Sequence, residues 1–231
     1  MKVNGVNIKE YGGKQLKVER QPPQIMGSYE WVDGAPIPQR TNEKIEASNL
    51  IVYMMFKGEE RDEIVRNISL FTALFRGEAI IKLDGYKGYF KGYLKGSNVE
   101  KTIVKEIYKF KIDLDGYFFD DEKIEKIDEN ETYICVDGSR ETPCTISLYA
   151  KNNTGKYEIS GDFGDISIDV ITKGDEIVIN GETGIITKNG ENAFETVDLW
   201  EFPVLHPGEN KITVTDVENV DVKITYRPMW L

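Results

Sequence analysis

The chain has 231 residues, 40% hydrophobic and 30% charged, a composition typical of a folded globular protein and too apolar for a disordered one. The longest apolar run, Leu50 to Phe56, is far shorter than the roughly 20 residues that cross a bilayer, so we expect no membrane insertion. The N-terminus lacks the apolar segment of a signal peptide, so we expect the protein to be synthesised and folded in a cytoplasm. The net charge of −11 argues against specific nucleic-acid binding, because Lys and Arg contacts to phosphates supply most of the non-specific affinity.

Charge is distributed unevenly along the chain. Residues 1–119 contain 19 Lys and Arg and 16 Asp and Glu, a balance of +3, whereas residues 120–231 contain 10 and 24, a balance of −14. The change falls where a strongly apolar segment gives way to a run of charged residues. We therefore predict two domains, 1–119 and 120–231.

Four prolines and no sustained periodicity mark residues 20–49, which predicts an extended arm or loop. The following run "LIVYMMF" is apolar on both faces, as in a strand that is covered on both sides. The pattern then changes, and apolar residues recur at helical spacing after a cluster of acidic residues, which predicts one amphipathic helix over about 59–76. The apolar positions of this helix are Ile64, Ile68, Phe71 and Phe75.

The rest of the first domain and all of the second read as β-structure. A hairpin is predicted across Asp84-Gly85, followed by a strand in which Tyr108, Phe110, Ile112 and Leu114 alternate with polar residues. Short alternating runs separated by Asn-Gly turns fill residues 120–231. The predicted fold class is mainly β, with one helix in the N-terminal domain and a C-terminal β-sandwich of jelly-roll type.

The residues that could carry chemistry do not form a recognisable set. His206 is the only histidine and has no adjacent nucleophile or ligand pattern, so we interpret it as a surface residue of a turn. Cys135 and Cys144 lack the companions of a zinc site and are interpreted as structural thiols of strands. The segment from Asp113 resembles a calcium loop but has Ile124 where the bidentate Glu belongs. We predict no enzyme, no cofactor and no metal site.

The segment "FPVLHPGENKITV" is instead interpreted as a structural turn before a strand. Pro203 is expected to end one strand, and Pro207 and Gly208 to occupy the second and third positions of a type II turn that starts at His206. The side chain of Asn210 is expected to secure the loop.

Three aromatic residues near the C-terminus, Trp200, Tyr226 and Trp230, raise a second possibility. If they were exposed on the sandwich, they could form a platform on which a sugar ring stacks. Large aromatic residues beside apolar strands are more often part of the core, so both interpretations remain open at this stage.

The order of these segments resembles the distal tail protein family of long-tailed bacteriophages. The resemblance rests on "VNGVNIKEYG", on the Pro-rich arm with "DGAPIPQR", on "YKGYFKGYLKG" and "YKFKIDLDGYFF", and on the closing segments "FPVLHPGENKITV" and "VKITYRPMWL". It spans nearly the whole chain.

This resemblance implies a structural subunit of a phage tail or a related tail-like particle, located at the tail tip. The first domain would form a hexameric ring, and the second would be a galectin-like sandwich. The ring would join the tail tube and tape-measure proteins to tail-associated, fibre and receptor-binding proteins. The arm at 20–49 would contact the neighbouring subunit, because an extended segment can pair with a sheet edge.

Two other functions compete with this one. The first is a carbohydrate-binding adhesin that recognises host cell-wall glycan through the C-terminal sandwich and the three aromatic residues. The second is a hydrolase with paired carboxylates, for which the sequence offers no specific motif. The sequence therefore favours an assembly protein, with glycan binding as the alternative.

Overall fold

The computed structural model describes residues 1–231, except for the side chains of Thr41 and Glu43. The chain forms two compact units, one comprising Met1–Phe119 with Leu231 and the other Asp120–Trp230. None of the helices in the described chain has the length and apolar character needed to span a bilayer.

The first unit is built around one antiparallel sheet with strand order β2-β1-β7-β8-β9-β6-β3, beside a separate hairpin of β4 and β5. Its strands are β1 (Lys2–Val3), β2 (Val6–Asn7), β3 (Gly13–Gln21), β4 (Ile25–Glu30), β5 (Gln39–Ile45), β6 (Ser48–Lys57), β7 (Ala79–Lys82), β8 (Tyr89–Lys101) and β9 (Ile107–Phe119). A 3₁₀ turn at Ile8–Tyr11 precedes β3. β7 and β8 pair as a hairpin across Asp84-Gly85, as the sequence predicts.

One α-helix, α1 (Arg61–Thr72), continues into a 3₁₀ turn at Ala73–Phe75. It buries the apolar positions that the sequence pattern indicated, with Phe71 and Ile64 fully inaccessible to solvent. Phe71 lies within 6.3 Å, between ring centroids, of Phe56 and Phe110 in the central strands. An aromatic cluster therefore holds the helix against one face of the sheet.

The other face of β6 is only partly shielded. Tyr53 and Met55 point to this face and are half-buried. The ammonium groups of Lys17 and Lys111 lie 5.6 and 5.7 Å from the centroid of the Tyr53 ring. Long lysine side chains therefore supply part of the cover that the doubly apolar run "LIVYMMF" requires.

The second unit contains two packed antiparallel sheets. Its strands are β10 (Lys123–Ile127), β11 (Glu131–Val136), β12 (Thr142–Ala150), β13 (Tyr157–Gly161), β14 (Gly164–Ile168), β15 (Glu176–Asn180), β16 (Ile185–Lys188), β17 (Glu191–Asn192), β18 (Val197–Leu199), β19 (Val204–Leu205), β20 (Gly208–Val214), β21 (Val220–Tyr226) and β22 (Met229–Trp230). One sheet has the order β10-β21-β12-β15-β16-β17 and the other β11-β20-β13-β14-β18, with a 3₁₀ turn at Phe194–Thr196.

A single hydrophobic cluster fills the space between these sheets. Strand β21, for example, buries Val220, Val222, Ile224 and Tyr226 and exposes alternate residues, which is the pattern of a strand with one solvated face. The predicted fold class, mainly β with a C-terminal β-sandwich, is confirmed. Asn189 and Gly190 both have positive φ and turn the chain between β16 and β17, the conformation that a two-residue hairpin turn requires.

Candidate functional site

The turn around His206 joins the two sheets of the sandwich. Before it, β19 pairs with β12; after it, β20 pairs with β11 in the opposite sheet. Pro203 is buried just ahead of β19, and its carbonyl accepts a hydrogen bond from the backbone N–H of Cys144. Gly208 has a φ of +93°, which the third position of a type II turn demands. The segment is therefore a corner of the fold.

Asn210 is the polar residue that holds this corner together. Its side chain is inaccessible to solvent, and its Oδ1 accepts a hydrogen bond from the His206 N–H at 2.7 Å. Its Nδ2 donates to the carbonyl oxygens of His206 at 2.8 Å, Gly208 at 3.0 Å and Ile134 at 3.4 Å. A buried amide thus satisfies backbone groups from both sides of the corner.

The imidazole of His206 takes no part in this network. Its Nδ1 lies 3.5 Å from Oε1 of Glu141, and both side chains are largely exposed. Among the described side chains there is no group of three or more histidine, cysteine or carboxylate residues suited to a metal ion. The Glu141 carboxylate is thus a neighbour of the imidazole, at a distance longer than a typical hydrogen bond.

The two cysteines occupy different environments. Cys135 is exposed and Cys144 is buried, and both are free thiols. Burial raises the pKa of the Cys144 thiol to about 12, so this group stays protonated and unreactive near neutral pH.

The three aromatic residues considered as a sugar-binding platform differ in their exposure to solvent. Trp200 is 93% exposed, whereas Tyr226 is 2% exposed and belongs to the core. Trp230 is half-buried, and its Nε1 donates to Oδ2 of Asp120 at 2.8 Å. The prediction that Tyr226 could contact a glycan is wrong, because β21 directs its side chain between the sheets. A platform made of all three rings therefore does not exist.

Trp200 instead borders a groove of about 450 Å³ on the outer face of the sheet that contains β13, β14 and β18. The groove is lined by Lys156, Glu158, Ser160, Asp165, Ile166, Ser167, Asp198, Leu199 and Trp200. Strand register assembles it: Ser167 lies between Glu158 and Asp198, and Asp165 lies opposite Ser160. Sequence reasoning missed this set, although the alternation of polar and apolar residues in "YEIS" and "DISI" marked the outward positions.

The groove carries negative charge. Three carboxylates, from Glu158, Asp165 and Asp198, face one ammonium group, from Lys156. Lys156 Nζ lies 2.7 Å from Glu158 Oε1, and the hydrogen bond and charge of Glu158, with smaller contributions from Asp169 and Asp198, raise the pKa of Lys156. The lysine therefore stays protonated, and the carboxylates outnumber it.

A second surface of interest is the hairpin of β4 and β5, which we call the arm hairpin (residues 25–45). Its two strands pair with each other and with no other strand of the described chain. The arm predicted at 20–49 is therefore a hairpin in its central part. The arm hairpin exposes six large apolar side chains, those of Ile25, Met26, Tyr29, Trp31, Val32 and Ile37.

A polar cleft of about 700 Å³ lies at the base of the arm hairpin. On its floor, the Asn49 side-chain amide donates to Asp115 Oδ1 at 3.0 Å and to Asp113 Oδ1 at 2.5 Å. Lys95 Nζ lies 3.3 Å from Asp115 Oδ2. Asn49 in β6 thus holds the carboxylates of Asp113 and Asp115 in the neighbouring strand β9, and Lys95 pairs with Asp115.

Comparison with known proteins agrees with the resemblance seen in the sequence. Residues 137–230 match the family model described as the siphovirus-type tail component, C-terminal domain. No curated protein is similar enough in sequence to count as a relative.

Solved structures share the fold over the whole chain. The Dit protein of phage SPP1, described as a paradigm of the hub adsorption apparatus in phages that infect Gram-positive bacteria, has a TM-score of 0.77 at 13% identity and covers 99% of this chain and 98% of its own. The phage P2 baseplate in its activated conformation matches with TM-scores of 0.53 with calcium and 0.51 with strontium. The sequence identity is 13% for the calcium structure and 14% for the strontium structure. Each match covers 95% of this chain and 92% of the matched baseplate chain.

At these identities the structural likeness establishes the fold of the whole chain, and the family match concerns its C-terminal part. Residues 137–230 are therefore similar to the siphovirus-type tail component, C-terminal domain, and the whole chain has the fold of the phage SPP1 Dit protein.

Proposed function

We propose that this protein is the hub of a phage tail tip, in which residues 1–119 assemble into a closed hexameric ring and residues 120–231 form a galectin-like outer domain. Its role is structural and not catalytic. The support comes from the tail component domain at 137–230, from the hub fold, and above all from the exposed arm hairpin.

The arm hairpin carries the argument for self-assembly. An isolated two-stranded hairpin is marginally stable in water, and this one exposes several large apolar side chains, including Trp31 at 70%. Several large apolar side chains exposed on one short hairpin favour an interaction site. A neighbouring copy of the chain that packs against the hairpin would remove these side chains from water.

A cyclic ring also needs a second, different surface that receives the arm hairpin, because head-to-tail interfaces join two unlike patches. Strand β3 forms one end of the main sheet and presents an edge that another chain can extend. Leu16 is exposed at the point where the register of β3 shifts. We assign β3 of the neighbouring subunit as the receiving edge.

In the particle, the ring would sit at the virion tail tip after synthesis in the host cytoplasm. It would connect the tail tube and tape-measure proteins on one side to tail-associated, fibre and receptor-binding proteins on the other. Phage SPP1 Dit, described as part of a hub adsorption apparatus, supports this placement.

Native mass spectrometry of the purified full chain tests the proposal. We expect a closed ring of six copies for the natural protein. A variant with Tyr29→Ser, Trp31→Ser and Ile37→Ser should be monomeric, because the arm hairpin loses its apolar contacts. Its far-UV circular dichroism spectrum should match that of the natural protein, since these side chains are exposed within one subunit and their loss should not change the fold of the monomer.

A matched control carries Val65→Ser and Leu70→Ser, two exposed apolar residues on α1, and should still form rings. Monomers of the natural protein at high concentration and low salt would contradict the ring. Rings formed by the arm variant would refute the role of the hairpin.

A further inference from the structure

We propose that the groove beside Trp200 is a binding site for an uncharged saccharide chain. This inference goes beyond the hub role, because it concerns the outer face of the sandwich and does not depend on ring formation. It rests on one exposed ring, a polar floor and the charge of that floor.

Trp200 has an unusual position for a tryptophan. The side chain is 93% exposed, although tryptophan is highly buried on average in folded proteins. It follows the last residue of β18, where Leu199 pairs with Ile166, and it lines the groove together with Asp165. An indole face held in water at the edge of a groove is a surface on which an apolar face of a ligand can stack.

The floor of the groove supplies hydrogen-bonding groups at regular spacing. Ser160 and Ser167 contribute hydroxyl groups, which donate and accept, and three carboxylates accept. They point outward because they alternate with the buried residues Ile159 and Ile166. Neighbouring strands lie about 4.8 Å apart, so these groups form a lattice that matches a ligand rich in hydroxyls along its length.

The charge of the groove selects among such ligands. Glu158, Asp165 and Asp198 outnumber Lys156, and Lys156 already pairs with Glu158. Like charges repel a ligand that carries phosphate or carboxylate groups. An uncharged saccharide meets no such repulsion and can donate its hydroxyl protons to the carboxylates.

The same composition argues against a protein partner at this position. The centres of protein interfaces are depleted of charged residues and contain clusters of apolar side chains. Here one ring stands among four charged side chains and two serines. A saccharide, which combines an apolar ring face with many hydroxyls, fits that mixture better.

Binding of the full-length protein to defined saccharides tests the proposal. The probes are neutral oligosaccharides of hexose and of N-acetylhexosamine units, with a glycerol-phosphate polymer as the anionic comparison. Titration calorimetry measures affinity, and native mass spectrometry measures assembly in parallel. We expect binding of at least one neutral probe and none of the anionic polymer.

Trp200→Ala should weaken neutral binding about 10-fold or more, because the stacking surface is lost, whereas Trp200→Tyr, which keeps an aromatic face, should retain most of it. Asp165→Ala should also weaken it. Tyr149→Ala is the matched control, because Tyr149 is an exposed aromatic residue of β12 in the opposite sheet, and it should bind like the natural protein.

Three results would overturn the proposal: no binding of any neutral probe at millimolar concentration, binding that survives Trp200→Ala, or preference for the anionic polymer. Ring formation should be identical in all four variants. If the natural protein forms no rings in native mass spectrometry, that result contradicts the hub role and leaves the saccharide site untouched. The two proposals can therefore fail separately.

Discussion

At the scale of single residues, the corner at 206–210 shows how a buried amide can replace missing backbone pairing. The chain passes there from one sheet to the other, so its backbone groups leave the regular ladder. The buried side chain of Asn210 forms hydrogen bonds with backbone groups of His206 and Gly208. Gly208 adopts the positive φ that the turn needs. The corner is thus specified by two residues, and neither of them is His206.

Replacement of Gly208 tests this account. A Cβ atom at Gly208 would meet no atom within 4 Å, so any effect of Gly208→Val comes from its φ of +93°, which a β-branched side chain disfavours. We expect the free energy of unfolding to fall by about 1–3 kcal/mol, measured by denaturant titration.

Two control variants isolate the cause. Gly155→Val places the same side chain in equally open space without a positive φ, and His206→Ala removes the exposed imidazole. Both should leave stability and assembly nearly unchanged. A Gly208→Val protein as stable as these controls would refute the turn.

Among the described side chains, Asp175 carries the only buried carboxylate. Burial raises its pKa, but hydrogen bonds from Lys188, Thr172 and Asn189 outweigh that effect and hold the pKa of Asp175 well below its usual range. Lys188 Nζ lies 2.8 Å from its Oδ2, and the Thr172 hydroxyl and N–H donate to the same oxygen. The carboxylate therefore ties the 172–175 turn to β16.

This depressed pKa predicts how stability depends on pH. The folded state binds the proton more weakly than the unfolded chain, so the contribution of Asp175 is complete above the unfolded pKa of about 3.9 and declines as pH falls below it. We expect Asp175→Asn to be less stable than the natural protein at pH 7, with a gap that narrows below about pH 4.

Chemical denaturation from pH 7 down to pH 3 measures that gap. Asp221→Asn serves for comparison, since Asp221 forms an exposed ion pair with Lys151, and such pairs contribute little. A gap that is constant with pH would show that the charge of Asp175 is unimportant.

At the scale of elements, α1 is held by its aromatic anchor. Phe71 contacts the rings of Tyr11, Phe56, Phe75 and Phe110, with centroids 5.4–6.3 Å apart. The spacing of apolar residues predicted this buried stripe, because a helix places every third or fourth residue on one face. It did not predict the contacts with the strands, which come from distant parts of the chain.

Phe71→Ala should lower the free energy of unfolding by about 3–5 kcal/mol, because it removes a fully buried ring and leaves a cavity. Its neighbour Leu70 is half exposed, so Leu70→Ala should cost far less. Thermal unfolding followed by circular dichroism compares the two. Equal losses would mean that α1 is not packed as described.

The arm hairpin is the element for which sequence reasoning was least specific. Prolines and the lack of periodicity indicated an extended segment, but β4 and β5 pair with a register shift between Ser28 and Tyr29. Periodicity failed because nearly all of the described side chains of these two strands are exposed. A strand without a buried face does not need alternating apolar residues.

At the scale of the whole molecule, charge and core are distributed separately. Acidic residues of the sandwich such as Glu158 and Asp198 lie on outward positions, while its core is apolar, mostly aliphatic with a few aromatic rings. The charge therefore affects which ligands and partners approach the domain without weakening its packing. The apolar surface that favours assembly lies instead in the first unit, on the arm hairpin.

The sequence alone determined the strands with regular alternation, the single helix, the turn at 206–210 and the fold class, because these depend on periodicity and turn chemistry within a few residues. Only the tertiary structure decided the environment of Trp200. Tyr226 continues the alternation of Val220, Val222 and Ile224 and is buried with them, whereas Trp200 follows the last residue of β18 and is 93% exposed. The end of β18 depends on its pairing with a distant strand, Leu199 with Ile166, which no local pattern encodes.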